Sequence, residues 1–383
     1  MTTPSPKPIR VGILGLSTKA SAWATLAHWP YLSSSADYQI VAVCNSSLES
    51  TKAAIAHFKL PATTKAYETY DALANDPDVD LYVVSTRADT HYSVALPGLQ
   101  AGKSVYVEWP LGANLAQAQE MRQIANDHGC RTIVGLQGRV SPSVLKVKSI
   151  VDSGRLGEIH SVSYIGTTNV WQDNAAGERY SYFMDRKVGG NLLTIYGGHV
   201  LDSILHAVGQ LDYTTVQNLA GNFRQKMKVK KADGTYSNEE FTKDTPDQMM
   251  LIGRLKRDPP AMFNFHLRAG DKFIGHSGSV WRIYGTKAEL HMRFSSAGPQ
   301  IGKADSIQIS DFTTGQVEDV EWDEGGPRWT SMPTQGQNVG RLYEAFAQGR
   351  NAERGAEGQR GYADWTDAVQ LHELIDSFYN NMA

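Results

Sequence analysis

The sequence predicts a two-domain α/β protein: an N-terminal Rossmann domain with a doubly wound parallel sheet, then an α+β domain with an open, mainly antiparallel sheet. Two observations carry this prediction. In the first third of the chain, short runs rich in Val and Ile alternate with helical patterns, and the runs lack the period-two alternation of half-exposed strands. Beyond about residue 140, alternating and β-branched runs are separated by turn signals such as Asp233-Gly234, which is typical of antiparallel pairing.

The first domain, predicted to span residues 9–140, is built from βα units. Its predicted strands are the short apolar runs Arg10–Leu14, Tyr38–Cys44, Asp80–Val84, Ser104–Val107 and Arg131–Gly135. Apolar residues at helical spacing predict helices over Ser47–His57 and Asn114–His128, and a glycine follows the second helix as a stop signal. Because successive units of this kind are joined by right-handed crossovers, we expect the strands to be parallel.

The second domain, residues 141–383, begins with a helical pattern at Pro142–Ser153 and has another at about Ile195–Val208. Its predicted strands are Ile159–Thr168, Thr214–Phe223, Met249–Leu255, Met262–His266, Val280–Tyr284, Leu290–Phe294 and Ser306–Ile309. A final helix, Tyr362–Asn380, carries an apolar stripe, and we expect it to pack back on the first domain. The Gly- and Arg-rich stretch Gln348–Gly361 is predicted to be an exposed loop.

Composition limits the class of protein before any motif is considered. The chain has 383 residues, a net charge of −3 and 41% hydrophobic residues, which suits two domains with substantial cores and gives no electrostatic drive toward nucleic acid. Its two cysteines, Cys44 and Cys130, are too few for a disulfide framework or a zinc cluster, so we expect no metal. No apolar run approaches the roughly 18 residues needed to span a bilayer, so we expect no membrane association.

Residues 1–8 are rich in Pro and Ser and contain no hydrophobic stretch. This composition predicts a short disordered leader rather than a signal peptide. Because cysteines are also scarce, we expect a protein of a reducing compartment, the cytoplasm.

The first βα turn carries a variant of the dinucleotide fingerprint G-x-G-x-x-G/A. Here it is Gly15-x-Ser17-x-x-Ala20, so the first glycine and the permitted final alanine are present while serine replaces the middle glycine. Ser17 keeps a small side chain where the diphosphate must approach, and its hydroxyl can donate to a phosphate. Gly15, Ser17 and Thr18 are therefore candidate cofactor contacts, and a Rossmann-like turn that binds no phosphate is the alternative.

The end of the second predicted strand bears on the choice between NAD and NADP. An acid is expected there for the ribose 2′-hydroxyl of NAD, but the stretch is Val43-Cys44-Asn45-Ser46-Ser47. Asn45 does not repel a 2′-phosphate and Ser46 could hydrogen-bond one, although no arginine is adjacent to clamp it. We therefore expect NADP or NAD as the cofactor, with a slight preference for NADP.

Motifs in order along the chain resemble those of the Gfo/Idh/MocA dehydrogenases. Ser85–Tyr92 is similar to T-P-N-x-x-H, and Gly102–Leu111 is similar to G-K-x-V-x-x-E-K-P-L. Gly189–Asp202 is similar to G-G-G-x-L-x-D-x-G-x-H-x-x-D, and Gly285–Leu290 is similar to G-T-x-G-x-L. The stretch Thr132–Pro142 looks closest to the fungal galactose-pathway co-repressor branch, which keeps the fold and a dinucleotide pocket but acts by binding another protein.

The resemblance implies a dinucleotide site and a homodimer formed through the open sheet of the second domain. It places further cofactor contacts on Thr86, Arg87, His91, Glu108, Trp109, Pro110 and Gln137. An X-Pro bond at a strand end, beside a cofactor and after an aromatic residue, favours the cis form, so we expect Trp109-Pro110 to be cis.

Two departures from the family pattern affect the expected chemistry. Trp109 stands where members that oxidise sugars or polyols have the E-K-P lysine, and tryptophan has no titratable proton. Ile195 stands where the D-x-x-x-H motif has its aspartate. His199 and Asp202 remain, as a candidate acid or base and the group that orients it, and a hydrogen-bonded structural histidine is the alternative.

Other candidates flank the expected cleft. Gln137 and Arg139 follow the fifth predicted strand, at the edge where open α/β sheets bind ligands, and Arg139 equally suits a plain interdomain salt bridge. Clustered aromatic residues in the loop Asn169–Gly190 suit a planar or hydrophobic ligand, or else a satellite apolar cluster. We assign Arg139, Trp171, Tyr182 and Tyr196 to substrate binding, and His199, Tyr180 and Asp202 to catalysis.

Two functions fit these observations. In the first, an NAD(P)-dependent oxidoreductase with E-W-P in place of E-K-P transfers hydride to or from a small, planar or apolar carbonyl, imine or enone, held between Trp109 and the second-domain sheet. A non-redox isomerase using the same cleft is a variant. In the second, the chain is a catalytically silent, nucleotide-binding regulator resembling the co-repressor branch, with a protein partner and a nuclear location. The aromatic lining and the long loop favour the enzyme.

Overall fold

The structure is a computed structural model that describes residues 7–168, 170–171, 175–295, 298–301, 303–349 and 361–382. Residues 1–6 of the predicted leader and residues 350–360 of the predicted exposed loop lie outside the described part. The chain divides into two compact units, residues 1–140 with 325–370 and residues 141–324 with 371–383. The C-terminal helix, Trp365–Asn380, therefore begins in the first unit and ends in the second.

The first unit contains the parallel sheet that the sequence predicts. Within the described residues its six strands are β1 (Ile9–Leu14), β2 (Tyr38–Cys44), β3 (Lys65–Tyr67), β4 (Leu81–Val84), β5 (Ser104–Val107) and β6 (Thr132–Val134). They are ordered β3-β2-β1-β4-β5-β6 and pair in parallel, so the order reverses between β1 and β4. Open α/β sheets bind ligands at the carboxyl ends of the strands beside such a reversal. The residues of β3 are only half-buried, so no apolar run marks this strand in the sequence.

Polar capping residues begin several of the helices. The helices are α1 (Trp29–Leu32), α2 (Leu48–His57), α3 (Tyr70–Ala74), α4 (His91–Gln100), α5 (Leu115–Asp127), α6 (Pro142–Asp152), α7 (Gly198–Val208), α8 (Pro327–Thr330), α9 (Thr334–Gln348) and α10 (Trp365–Asn380). Ser47 caps α2 by accepting from the Ser50 N–H at 3.1 Å, and Asn114 caps α5 by accepting from the Gln117 N–H at 3.0 Å. Turns of π-helix cover Ala24–His28 and Leu192–Gly197, and 3₁₀ turns cover Ala88–Thr90, Gln137–Val140, Glu178–Met184 and Arg186–Val188.

Stacked aromatic rings form part of the core of the first unit. Tyr343 of α9 stacks on Tyr106 of β5 with the ring centroids 5.2 Å apart, and on Tyr31 at 6.0 Å. Tyr31 in turn stacks on Trp329 of α8 at 5.7 Å. Because such rings bury large apolar areas, the segment after residue 325 contributes to the stability of the Rossmann sheet rather than forming a separate layer.

The second unit is built around an eight-stranded sheet, and the prediction of an open, mainly antiparallel sheet is confirmed. The strands of the unit's described residues are β7 (Ile159–Thr167), β8 (Ala175–Gly177), β9 (Leu211–Gly221), β10 (Lys226–Lys230), β11 (Phe241–Thr242), β12 (Gln248–Leu255), β13 (Ala261–Arg268), β14 (Ser279–Gly285), β15 (Ala288–Phe294), β16 (Ser306–Asp311) and β17 (Val317–Asp319). The large sheet is ordered β17-β16-β15-β14-β7-β13-β12-β9, with β7 and β13 parallel and the other neighbours antiparallel. The small sheet is ordered β11-β10-β8.

Alternating burial gives the eight-stranded sheet one buried face and one exposed face. Large apolar side chains on the exposed face are 52–62% exposed, namely Ile165, Leu219, Met250, Ile252 and Met262. The register places Met250 opposite Leu219 and His266, and His266 opposite Ile165. Leu219, Met250, His266 and Ile165 are therefore aligned across four strands. Together with Ile252 and Met262 on the same face, they form the exposed apolar row.

None of the helices in the described part of the chain is long and apolar enough to cross a membrane. Across the same residues, no group of three or more His, Cys, Asp or Glu side chains is placed to hold a metal ion.

Candidate functional site

A cavity of about 660 Å³ lies at the carboxyl ends of β1, β2 and β4 in the first unit. It brings together residues that the sequence predicts as cofactor contacts: Gly15, Ser17, Thr18, Asn45, Ser46, Thr86 and Arg87. The rest of its lining is Leu14, Cys44, Ser47, Glu49, Ser50, Ala53, Tyr70 and Thr90. Sequence reasoning did not single out Glu49 and Tyr70, because each lies in the first turn of a helix, outside the fingerprint.

The first glycine of the fingerprint is required by the backbone. Gly15 has φ +91°, and a Cβ at this position would lie 2.2 Å from the carbonyl oxygen of Ser85. The Gly15 N–H donates to the Cys44 carbonyl at 3.3 Å, which joins the turn to the end of β2. Any side chain here would separate the end of β1 from the end of β4. Because residue 15 is glycine, the turn stays tight and its backbone can lie close to a diphosphate.

The rest of the turn is shaped by its own hydroxyl groups. Ser17 Oγ accepts from the Lys19 N–H at 3.2 Å, and the Ser17 carbonyl accepts from Thr25 Oγ1 at 2.6 Å. Regular helix does not begin at Ala20: residues 15–22 form turns and bends, and the helical segment starts at Ala24. The exposed Lys19 therefore lies in the turn itself, which places a positive charge near the cavity.

Asn45, at the end of β2, presents an acceptor that lacks a donor. Its Nδ2 donates to the Leu16 carbonyl at 2.8 Å and to the Ser50 carbonyl at 3.2 Å, so the amide is held in place. Its Oδ1 is buried and accepts no hydrogen bond from the described residues. An unsatisfied buried acceptor costs roughly 1–3 kcal/mol, and a ligand hydroxyl would satisfy it. The Asn45 amide therefore has an acceptor, and no donor, to offer to a ligand hydroxyl.

The positive charge of Arg87 is matched within the protein. Its Nε donates to Asp89 Oδ1 at 2.7 Å and its Nη2 to Asp89 Oδ2 at 2.6 Å, a bidentate pair. This hydrogen bonding outweighs partial burial and lowers the pKa of Asp89. Thr90 Oγ1 donates to Thr86 Oγ1 at 2.9 Å, which fixes the same loop. Arg87 thus enters the cavity wall as half of an ion pair.

His91 and Pro110 connect two loops at the carboxyl edge of the sheet. His91 is fully buried, with Nδ1 2.8 Å from the Pro110 carbonyl oxygen and Nε2 3.1 Å from the Thr86 carbonyl oxygen. Burial lowers the pKa of His91 despite these contacts. The Trp109-Pro110 bond is cis, which confirms the expectation, and Trp109 is 5% exposed. His91 and Pro110 therefore position the loops that line the cavity, and neither lines it.

Glu108 is held in the core of the first unit rather than in the cavity wall. Its Oε1 accepts from the Tyr106 hydroxyl at 2.8 Å and lies 2.9 Å from His28 Nε2, while His28 Nδ1 lies 2.7 Å from the Tyr343 hydroxyl. Burial alone raises the pKa of Glu108, but the hydrogen bond and charge of His28 and the Tyr106 hydrogen bond reverse this, so the pKa lies below its usual range. This network anchors the end of β5 beside Trp109.

Two candidates follow β6 in the first unit. Gln137 is fully buried, and neither atom of its side-chain amide has a hydrogen-bond partner among the described residues. Arg139 Nη1 lies 3.1 Å from Asp367 Oδ2, so Arg139 does form a salt bridge, but the expectation of an interdomain bridge is wrong, because both residues belong to the first unit. Neither residue lines the cavity.

In the second unit, predicted substrate residues meet around Phe183. The Tyr182, Tyr180 and Tyr196 ring centroids lie 4.8, 5.4 and 6.2 Å from the Phe183 centroid. The three tyrosines are half-buried and Phe183 is buried. Asn169 and residues 172–174 of the predicted aromatic loop lie outside the described residues.

Trp171 and Lys243 form a separate buried pair in the same unit. Trp171 has φ +62°, and Lys243 Nζ lies 4.6 Å from the centroid of its ring. Lys243 is 1% exposed and lies 3.3 Å from Asp247 Oδ2, and it donates to the Thr245 carbonyl. Burial lowers the pKa of Lys243 to about 8, more than Asp247 raises it. No sequence pattern distinguishes this lysine from an exposed one, and sequence reasoning missed it.

His199 and Asp202 lie on α7, directly after the π-helical turn that contains Tyr196. Both are buried, with 6% and 4% exposure. The His199 carbonyl accepts from Ser203 Oγ at 2.7 Å. Ile195 stands within the π-helical turn, so the position of the family aspartate carries no polar group here.

Two family models match the chain, one to each part. Residues 9–136 match the Gfo/Idh/MocA oxidoreductase family, NAD-binding Rossmann fold, and residues 142–293 match the C-terminal domain of Gal80p. Among relatives, dehydrogenase aclE of Aspergillus oryzae is 36% identical over 252 residues, which cover 65% of this chain and 67% of that protein.

Galactose/lactose metabolism regulatory protein GAL80 of Saccharomyces cerevisiae is 26% identical over 413 residues, with 99% of this chain and 94% of that protein covered. The crystal structure of a super-repressor mutant of Gal80p from the same yeast has a TM-score of 0.85 at 24% identity, covering 98% of this chain and 96% of that chain. This last likeness establishes the fold.

Proposed function

Because the chain belongs to the Gfo/Idh/MocA oxidoreductase family, we propose that it is an NAD(P)-dependent oxidoreductase with an atypical active site. The cavity at the reversal of the parallel sheet carries this proposal, since Gly15 permits close backbone approach and Asn45 Oδ1 lacks a donor. The substrate we propose is a small, planar or apolar carbonyl, imine or enone. Tryptophan at position 109 supplies no proton and suits a planar partner better than a sugar.

The chain's own groups would bind and orient the dinucleotide. The turn at Gly15 and Ser17 would hold the diphosphate, with the charge of Lys19 nearby. Asn45 Oδ1 would accept from a ribose hydroxyl. Once bound, the dinucleotide supplies the hydride chemistry.

For the cofactor, we propose NAD(H) rather than NADP(H), the reverse of the slight preference that the sequence indicates. Glu49 lines the cavity beside Asn45, and its carboxylate repels a 2′-phosphate. The cavity's basic residue, Arg87, is already paired with Asp89. A ribose diol, by contrast, finds acceptors in Asn45 and Glu49.

Fluorescence titration with NADH and NADPH tests both the binding of a dinucleotide and the preference for NAD(H). We expect NADH to bind at least about tenfold tighter than NADPH. Glu49→Lys should narrow this difference in affinity, because it replaces a negative charge that repels the 2′-phosphate by a positive charge that attracts it. Glu68→Lys, the same charge change on an exposed residue outside the cavity lining, should leave the ratio unchanged. Failure of all dinucleotides to bind would contradict the proposed function.

The proton donor we propose is His199, with Asp202 as its neighbour on α7 and Tyr180 as the second candidate. General acid help is worth about 10² to 10⁴ in rate, so a site without the E-K-P lysine still needs such a group. His199→Ala should lower turnover by about that factor while leaving NADH affinity unchanged. An unchanged rate would remove His199 from the mechanism, and Tyr180→Phe would then test the alternative.

A regulator that binds nucleotide without turnover is the second candidate. The observation that favours it is the loss of both family side chains, since Trp109 and Ile195 replace a lysine and an aspartate. The similarity to GAL80 proteins over nearly the whole chain agrees with it. In that case the protein would bind NADH and a protein partner, yet turn over no member of a panel of carbonyls, imines and enones.

We also propose that the exposed apolar row on the eight-stranded sheet pairs with a second copy of the chain. Monomeric proteins rarely expose several large apolar side chains in one patch. Light scattering at micromolar concentration should give the mass of a dimer. Ile252→Asp with Met262→Asp should produce a monomer, whereas Val317→Asp on the edge strand should not.

A further inference from the structure

We propose that the second unit carries a binding site for a planar organic anion, an aromatic or conjugated carboxylate, formed by Arg179 with Tyr180, Tyr182 and Tyr196. This inference rests on the proposed function, because it names the class of substrate that the oxidoreductase would accept. Sequence reasoning assigned the tyrosines separately and did not consider Arg179.

The three phenols are held in one cluster by a buried ring. Phe183 contacts all three tyrosine rings, at centroid distances of 4.8–6.2 Å. The Phe183 carbonyl accepts from Thr245 Oγ1 at 2.7 Å, and the Met184 carbonyl accepts from the Asp244 N–H at 3.1 Å. Two backbone anchors therefore fix the segment, and the cluster is organised before a ligand arrives.

Arg179 adds a cation whose charge is not matched by a carboxylate. Its guanidinium carbon lies 5.7 Å from the centroid of the Tyr180 ring, and the side chain is exposed. Among the described residues, no Asp or Glu forms an ion pair with it, in contrast to Arg87 and Arg139. A planar guanidinium with open donors recognises a carboxylate in a bidentate geometry.

The tyrosine hydroxyls complement this charge. Burial raises the pKa of Tyr196, and the neighbouring Tyr180 and Tyr182 raise it further, while Arg179 opposes them. Like an ordinary tyrosine, Tyr196 is protonated at neutral pH and its hydroxyl is a hydrogen-bond donor. Half-exposed aromatic faces beside a guanidinium and phenolic donors favour a flat, conjugated anion over a neutral polyol.

Calorimetric titration with cinnamate and with cinnamamide, its neutral analogue, tests the site in the full-length protein with and without NADH. We expect cinnamate to bind at least tenfold tighter than cinnamamide. Arg179→Gln should abolish this preference, and Tyr196→Phe should weaken both ligands severalfold. Arg186→Gln is the matched control, because Arg186 lies in the neighbouring 3₁₀ turn with its guanidinium 4.0 Å over the Tyr379 ring, and it should keep the preference.

Equal affinity for the two probes, no binding of either, or a preference that survives Arg179→Gln would each overturn the inference. NADH titration of the same samples reports on the cavity of the first unit. In the unsubstituted protein, absence of the anion preference with intact NADH binding therefore refutes this site alone, whereas absence of NADH binding refutes the proposed function. Unchanged circular dichroism melting of Arg179→Gln would show that the variant is folded.

Discussion

The polar groups that line the cavity of the first unit and the ionisable groups discussed in the second differ in their exposure. In the first, short hydroxyl and amide side chains at the ends of strands open onto a 660 Å³ cavity, and its shape depends on backbone such as Gly15. In the second, these ionisable side chains are buried, namely those of His199, Asp202 and Lys243. Binding that depends on backbone geometry tolerates side-chain changes such as serine at position 17. Proton transfer depends on particular side chains, and the family lysine and aspartate are replaced here by Trp109 and Ile195, whereas His199 and Asp202 are retained.

The largest effect is expected where backbone geometry is the binding determinant. Gly15→Ala places a Cβ 2.2 Å from the Ser85 carbonyl oxygen at φ +91°, so the turn must move. We expect NADH affinity to fall about a thousandfold, or ~4 kcal/mol, in a fluorescence titration.

Gly154→Ala is the control, because that residue also has positive φ (+69°) but no atom lies within 4 Å of the added Cβ. It should cost only about 1 kcal/mol in thermal unfolding and leave NADH affinity intact. Equal NADH affinity in Gly15→Ala and the unsubstituted protein would show that the turn does not approach the ligand.

The stability of the second unit is expected to depend on pH in the alkaline range, because of Lys243. Its folded pKa of about 8 lies below the ordinary 10.5, so between these values the folded state binds fewer protons than the unfolded state. Stability contributed by this group therefore rises with pH across that window, by about 3 kcal/mol at most.

Denaturant unfolding from pH 7.5 to 10.5 should show the unsubstituted protein gaining stability relative to Lys243→Met. Lys256→Met, at an exposed position, should run parallel to the unsubstituted protein. If the free energy of unfolding of Lys243→Met changed with pH in parallel with that of the unsubstituted protein, Lys243 would be titrating as an exposed lysine.

The stability of the first unit is expected to depend on pH in the acid range, because of Glu108. Its folded pKa is below the ordinary 4.5, so its contribution is present above that value and is lost as pH falls through the folded pKa. Glu108→Gln should lower the free energy of unfolding at pH 7 by about 2 kcal/mol, because His28 loses its carboxylate partner in the core.

The difference from the unsubstituted protein should shrink below pH 4.5. Tyr106→Phe, which removes a hydrogen bond but no charge, should cost about 1 kcal/mol, with weaker pH dependence. A constant difference for Glu108→Gln down to acid pH would contradict an ionised Glu108.

Local patterns predicted the parallel sheet and nearly half of the cavity lining. Gly15, Ser17, Asn45 and Thr86 each lie within three residues of the end of a strand, and residues at the carboxyl ends of neighbouring parallel strands meet at one edge. Glu49 and Tyr70 were missed because a helix turn, not a strand end, brings them there. The strand β3 was missed because its three residues are half-buried.

By itself, the sequence determined which residues reach the carboxyl edge of the Rossmann sheet, because strand periodicity and chain order are local properties. The tertiary structure alone decided which charged groups are exposed, which are buried and which are paired with an opposite charge. Glu108 meets His28, Arg139 meets Asp367, and Lys243 lies buried against Trp171. Each of these contacts joins segments distant in the chain, and burial and a nearby opposite charge, which no local pattern records, shift the pKa values of Glu108 and Lys243.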